Sequence, residues 1–149
     1  MRYLEDFTIG QCIQTPSAQV SLNDSVTFAK QFDPQPMHLD AEAADKGPLS
    51  GLSASGWHTT ALVMRLIVDA HPFDGGPVLG LGVDDLRWPN PVRPGDTITA
   101  QLEVMSVTPS KSKPTHGIVR MHTTARNQNG DVVLSMYPNL WVPRRQNGK

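Results

Sequence analysis

The residues best suited to chemistry lie in the stretch "FDPQPMHLD", residues 32–40, in which Asp33 precedes His38 by five positions. A carboxylate accepts hydrogen bonds and protons, and an imidazole exchanges a proton near physiological pH, so the two could act as a general acid–base pair. Pro34 and Pro36 restrict the backbone between them and would hold both side chains ready for substrate. The alternative is a proline-rich connector in which Asp33 begins a turn and His38 fills space.

The elements around this stretch place it between two helices. Ser21 is a typical helix N-cap, and the sequence predicts a helix over 22–32 that ends at Asp33, because a residue before proline is pushed out of the helical region. Two prolines in succession favour an extended loop for the Asp33–His38 segment. A short helix capped by Asp40 is predicted next.

Residues 46–56, "KGPLSGLSASG", are rich in Gly, Ser and Pro and are predicted to be irregular. The following stretch "WHTTALVMRLIVDA", residues 57–70, has almost no polar face. A helix that is apolar nearly all round is typical of the interior of a protein, so this helix is predicted to be buried.

The second half of the chain has the pattern of β-strands. Four are predicted, over 78–88, 96–108, 117–128 and 131–142, after a first edge strand within 8–20. The Asn-Gly pair in "NQNGD" predicts a hairpin between the last two strands. Apolar and polar residues alternate in the strand over 96–108, as in a sheet with one covered face; the inward set is Ile98, Ala100, Leu102, Val104 and Ser106. The predicted class is α+β, an antiparallel sheet curled around one buried helix.

Length and composition exclude several classes of protein. The 149 residues suit one domain, 1–149, and the 13 basic and 14 acidic residues leave no field that would attract nucleic acid. The longest strongly apolar stretch is too short to span a membrane. One cysteine and a charged start without an apolar segment favour the cytoplasm. His116 and His122 lack a carboxylate or cysteine partner, so no metal site is predicted.

Taken together, "FDPQPMHLD", "SASGWHTTALVMRLIVD", "PVRPGDTI" and the final hairpin resemble the MaoC-like dehydratases, which include the R-specific enoyl-CoA hydratases. The resemblance covers nearly the whole chain in the same order. It implies the hotdog fold, a long helix wrapped by an antiparallel sheet, and a homodimer or higher homo-oligomer. It also implies a role in fatty acid metabolism.

The resemblance implies that Asp33 and His38 are the catalytic pair and that the backbone amide of Gly56 helps to hold the thioester carbonyl. Two positions differ from the usual family pattern: Gln35 stands where asparagine is common, and Ser55 stands where histidine is common. If the amide of Gly56 is the donor, the Ser55 side chain is expected only to shape the turn. A positive backbone φ at Gly56 would be a further reason for glycine there.

The implied reaction is the reversible hydration of trans-2-enoyl-CoA to (R)-3-hydroxyacyl-CoA, with coenzyme A as part of the substrate and no metal or other cofactor. An amide at a helix N-terminus suits the negative charge that builds on the carbonyl oxygen. Two alternatives remain: an acyl-CoA thioesterase, for which one carboxylate that activates water is enough, and a non-catalytic acyl-CoA binding module in which Gln35 and Ser55 mark a decayed site.

Overall fold

A computed structural model describes residues 1–146 of the chain, which form five strands and four α-helices. The helices are α1 (Leu22–Phe32), α2 (Pro36–Leu39), α3 (Ala41–Asp45) and α4 (Gly56–Asp69). The strands are β1 (Cys12–Gln19), β2 (Leu79–Arg87), β3 (Thr97–Pro109), β4 (His116–Arg126) and β5 (Val132–Pro143). A short 3₁₀ helix, Leu4–Asp6, precedes β1. Within residues 1–146, no helix is long and apolar enough to cross a membrane.

The strands form one antiparallel sheet in the order β1-β3-β4-β5-β2. In β3 the predicted alternation is confirmed from Ile98 to Val104, and it ends at Ser106, where a bulge shifts the register with β4. The predicted hairpin between β4 and β5 is also confirmed, with Gly130 in the left-handed region at φ 82°. The buried face of this sheet curls around α4, which contacts β1, β3 and β5.

Helix α1 has the predicted bounds because its end signals are local. The Ser21 hydroxyl accepts a hydrogen bond from the Asp24 amide, and Pro34 prevents the helix from continuing past Asp33. The loop predicted for 33–38 is correct only in its first half, because residues Pro36–Leu39 form the one-turn helix α2. Pro36 occupies the first helical position, where its fixed φ favours a helix and its missing N–H costs nothing.

The prediction that α4 is buried on all sides is wrong for the single chain. Its inner face, with Thr59, Val63, Leu66 and Ile67, is buried under the sheet. Its outer face keeps Trp57, Met64 and Val68 more than half exposed. One sheet covers only one side of a helix, so the apolar side chains on the other side of α4 lie exposed in the single chain.

Candidate active site

Asp33 lies where α1 ends, and its carboxylate points into a pocket. Its amide N–H donates to the Ala29 carbonyl at 2.9 Å and completes the last turn of α1. The side chain is 18% exposed, so one part of the carboxylate meets solvent and the rest is held by the protein. The end of α1 therefore fixes where the carboxylate stands.

His38 is buried on α2 with its two ring nitrogens in different environments. Nδ1 lies 2.8 Å from the Ser53 carbonyl oxygen, which can only accept, so Nδ1 carries the proton of that hydrogen bond. Nε2 lies 3.3 Å from Oδ2 of Asp33. Nε2 is therefore the nitrogen that is left to accept a proton, and it faces the carboxylate.

The structure thus brings together the two residues that the sequence singled out as an acid–base pair. When Asp33 is ionised and His38 is neutral, Oδ2 and Nε2 are both acceptors and cannot bond to each other. The pair is complete only with a proton on Nε2 or with a donor such as water shared between the two atoms. This is the arrangement that a proton-transfer reaction on a bound water molecule requires.

Ser55 contacts the Asp33 carboxylate in addition to capping α4. Its hydroxyl donates to Oδ2 of Asp33 at 2.7 Å and accepts from the Trp57 amide at 3.3 Å as the N-cap of α4. The residue is fully buried. A serine directly before a helix start indicates a cap, but nothing in the sequence indicates a bond to a residue 22 positions away.

Two side chains donate to the Asp33 carboxylate and stabilise its ionised form. The Gln35 amide donates to Oδ1 at 2.6 Å and is the largest influence that lowers the pKa of Asp33. The Ser55 hydroxyl and a positive charge on His38 lower this pKa further, while partial burial opposes them. The Gln35 side chain therefore takes part in the site, although it departs from the asparagine usual in the family.

Gly56 is the first residue of α4, and its amide N–H donates to no other residue within 1–146. The amide has the positive end of a 14-residue helix behind it, so it can donate to a ligand oxygen. Gly56 is helical rather than left-handed, so its backbone conformation does not explain the glycine. The explanation is steric, because the Trp88 ring occupies the place where a side chain would begin.

Asp33, His38 and Gly56 line one cavity of about 370 Å³. Its other walls are mostly apolar, and they include Trp57 and Trp88, which the sequence did not indicate. A cavity with a few convergent polar groups in apolar walls is typical of a site for a small organic ligand.

Arg93, in the segment between β2 and β3, binds the loop that carries Ser53. Its guanidinium donates to the backbone carbonyls of Leu49, Gly51 and Leu52. Since the Ser53 carbonyl orients His38, Arg93 supports the imidazole through this loop. This support could not be predicted, because the three acceptors are backbone atoms more than 40 residues away in sequence.

A family model described as MaoC like domain matches residues 6–127. The chain belongs to the MaoC-like domain family. The resemblance inferred from the sequence is therefore confirmed. The MaoC-like dehydratase of Rhodospirillum rubrum is similar over 98% of this chain and 99% of its own, with 41% identity and a TM-score of 0.92.

Two other relatives carry names of enzymes. The 3-hydroxybutyryl-CoA dehydratase of Methylorubrum extorquens is 26% identical over 145 residues, which are 97% of this chain and 86% of that protein. The R-hydratase PhaJ1 from Pseudomonas aeruginosa is 28% identical, with a TM-score of 0.75 over 96% of this chain and 86% of its own. The chain thus has the predicted α+β hotdog fold and MaoC-like relatives that are hydratases or dehydratases.

Proposed function

We propose that this MaoC-like chain catalyses the reversible hydration of trans-2-enoyl-CoA to (R)-3-hydroxyacyl-CoA, with Asp33 and His38 as the catalytic pair. One observation carries the proposal: Nε2 of His38 and Oδ2 of Asp33 are 3.3 Å apart in the cavity that Gly56 also lines. An acid–base pair and an amide donor in one apolar cavity are what hydration of an unsaturated thioester needs.

In the hydration direction, a water molecule held between Asp33 and His38 attacks C3 of the enoyl group. Nε2 of His38 takes one proton from this water, and the ionised Asp33 carboxylate orients the molecule and stabilises the imidazolium that forms. The C2–C3 double bond opens, and its electrons move toward the thioester carbonyl oxygen. The proton then returns from the pair to C2, so that one water is added and no proton is gained or lost.

The amide N–H of Gly56 donates to the carbonyl oxygen as negative charge builds on it. A preorganised donor of this kind contributes about 3 to 4 kcal/mol to the transition state. The reaction drawn in this way involves only water, the acyl-CoA substrate and side chains of the protein, so no metal or other cofactor is proposed.

The test measures the loss of enoyl absorbance with crotonyl-CoA together with the release of free thiol. Hydration without thiol release is expected. We expect Asp33→Asn and His38→Ala each to lower kcat/KM more than tenfold, or by more than ~1.4 kcal/mol, and the double variant to lose little more than the worse single one. Asp69→Asn, at the exposed far end of α4, is the matched control and should keep its activity.

Thiol release in place of hydration would identify a thioesterase instead. Binding of acyl-CoA without either reaction would identify a binding module. A single variant of Asp33 or His38 that retained more than about a tenth of the wild-type kcat/KM would refute the proposed pair.

We also propose that the chain forms a homodimer through the open side of α4 and the edge strand β2. Large apolar side chains lie exposed along both elements: Trp57, Met64 and Val68 on α4, and Leu79, Leu81 and Val83 on β2. An exposed edge strand offers unpaired backbone groups to another strand, and a wide apolar patch is typical of an interface. A second copy would extend the sheet at β2 and cover the exposed side of α4.

A further inference from the structure

The side chain of Trp88 lies directly against the start of α4. A Cβ atom on Gly56 would come within 2.7 Å of Cδ2 and Cε2 of the indole and 3.1 Å of Cε3. Real Cβ atoms essentially never come within 3.0 Å of another heavy atom, and two ring atoms lie closer than that, so the indole occupies the volume that any side chain at position 56 would need. Trp88 therefore stands next to the amide that is proposed to hold the substrate carbonyl.

The indole is fixed in this place by a chain of two hydrogen bonds. Nε1 of Trp88 donates to Oγ1 of Thr60 at 3.1 Å, and Oγ1 of Thr60 donates to the carbonyl oxygen of Gly56 at 2.9 Å. The Trp57 ring meets the Trp88 ring edge-on, with centroids 5.1 Å apart and planes at 77°. Both supports come from the first turn or two of α4, so the ring and the Gly56 amide keep a constant relation to each other.

This relation limits what can bind at the amide. Trp88 lines the same cavity as Gly56 and fills the volume beside the Gly56 Cα atom, so a thioester whose carbonyl oxygen accepts from the Gly56 N–H binds in a space that the indole bounds. We propose that Trp88, held by Thr60, is the specificity-determining wall for the acyl group and selects unbranched thioesters over those with a methyl branch at C2. This inference rests on the proposed function, since it assumes that a thioester binds at Gly56.

The first test compares hydration of crotonyl-CoA with hydration of 2-methylcrotonyl-CoA. The wild type should prefer the unbranched substrate. In Trp88→Ala the ratio of kcat/KM for the branched to the unbranched substrate should rise at least tenfold, and Trp88→Phe should give an intermediate ratio. Because Trp88 is 38% exposed, its replacement should leave the fold intact. A ratio that stays within threefold of the wild-type value in Trp88→Ala overturns the inference.

Variants of Thr60 test the role of the indole without removing it. Thr60→Val keeps the shape of the side chain but loses the hydroxyl, so the indole should be released and the ratio should rise at least threefold. Thr60→Ser keeps the hydroxyl and should restore the wild-type ratio. Equal ratios in the valine and serine variants would show that the hydrogen-bond chain does not set the specificity.

Binding of saturated thioesters separates failure of this inference from failure of the proposed function. Isobutyryl-CoA has a branch at C2 and butyryl-CoA does not, and neither can be hydrated. Calorimetric titration measures the Kd of each, and the ratio of the isobutyryl-CoA Kd to the butyryl-CoA Kd should be at least fivefold smaller in Trp88→Ala than in the wild type. If the wild type hydrates no enoyl thioester, the proposed function is wrong and this Kd ratio alone decides the inference. If neither thioester binds the wild type, the inference is wrong as well.

Discussion

Replacement of Ser55 by alanine tests how far the site depends on the side chain at this position. Two hydrogen bonds would be lost, one to the Asp33 carboxylate at 2.7 Å and one from the Trp57 amide at 3.3 Å. A hydrogen bond to a charged group is worth about 1.5 to 3 kcal/mol, and an N-cap about 1 kcal/mol. Because Ser55 is fully buried, solvent does not readily replace either bond.

We expect Ser55→Ala to lower the free energy of unfolding by about 2 to 4 kcal/mol, since two bonds that share one hydroxyl are not fully additive. For a chain of this size, each kcal/mol lowers Tm by about 2 to 4 °C, so the drop should be near 10 °C. Thermal unfolding followed by circular dichroism measures it.

Activity should fall in the same variant because the Asp33 carboxylate loses a donor that orients it. We expect kcat/KM for enoyl hydration to decrease about 10- to 100-fold, which corresponds to ~1.4 to 2.7 kcal/mol of transition-state stabilisation. The Ser55 hydroxyl also lowers the pKa of Asp33. Its removal raises this pKa, so the acid limb of the kcat/KM profile should move to higher pH, a change that a purely structural role would not produce.

Ser25→Ala is the matched control. Ser25 is a buried serine on α1 whose hydroxyl has no hydrogen-bond partner within residues 1–146. Loss of an unpaired buried hydroxyl should be neutral or stabilising, and the activity should not change. A Ser55→Ala variant with kcat/KM within threefold of the wild type and an unmoved acid limb would refute the reasoning. The Ser55 side chain would then only shape the turn before α4.

Three further predictions concern the support of the site and its assembly. Gln35→Glu places a like charge beside the Asp33 carboxylate and raises its pKa, so in kcat/KM profiles the acid limb should move to higher pH than in Gln35→Ala. Arg93→Met removes three hydrogen bonds to the loop that carries Ser53, so denaturant titration should show a free energy of unfolding lower by about 2 to 4 kcal/mol. Activity should also fall, because His38 loses its support. Arg93→Lys should recover only part of the stability and part of the activity. Analytical ultracentrifugation at micromolar concentration should show a dimer, and a species of 16.3 kDa would contradict the proposed interface.

The secondary structure could be predicted where the signals are local. Ser21 determines where α1 begins and Pro34 where it ends, and each signal lies next to the helix end that it determines. The Asn-Gly pair likewise determines the last hairpin. Helix α2 itself was not predicted, because its proline was interpreted only as a helix breaker, while the same residue at the first helical position starts a helix. A proline is compatible with either outcome, and the helix-forming residues after Pro36 decide between them.

The site could be predicted only in part, because its remaining contacts are distant in sequence. Asp33 and His38 were found because they lie five positions apart in one motif. The Trp88 indole contacts Thr60, which lies 28 positions earlier in the sequence, and no periodicity of the sequence predicts that contact. The pattern of α4 likewise indicates an apolar surface but not what covers it. Only the structure shows that the sheet covers one side of α4 and leaves the other side exposed.

The position of the proton in the Asp33–His38 pair depends on the groups that surround it. Hydrogen bonds from Gln35 and Ser55 and a positive charge on His38 lower the pKa of Asp33 and so favour its ionised carboxylate, while partial burial opposes them. With Nδ1 committed to the Ser53 carbonyl, the imidazole can take or give a proton only at the atom that faces Asp33. In the proposed mechanism the form with neutral His38 takes a proton, from water in hydration and from C2 in dehydration. The protonated form then returns that proton, to C2 in hydration and to the departing hydroxyl in dehydration. The same pair therefore serves both directions of the proposed reaction.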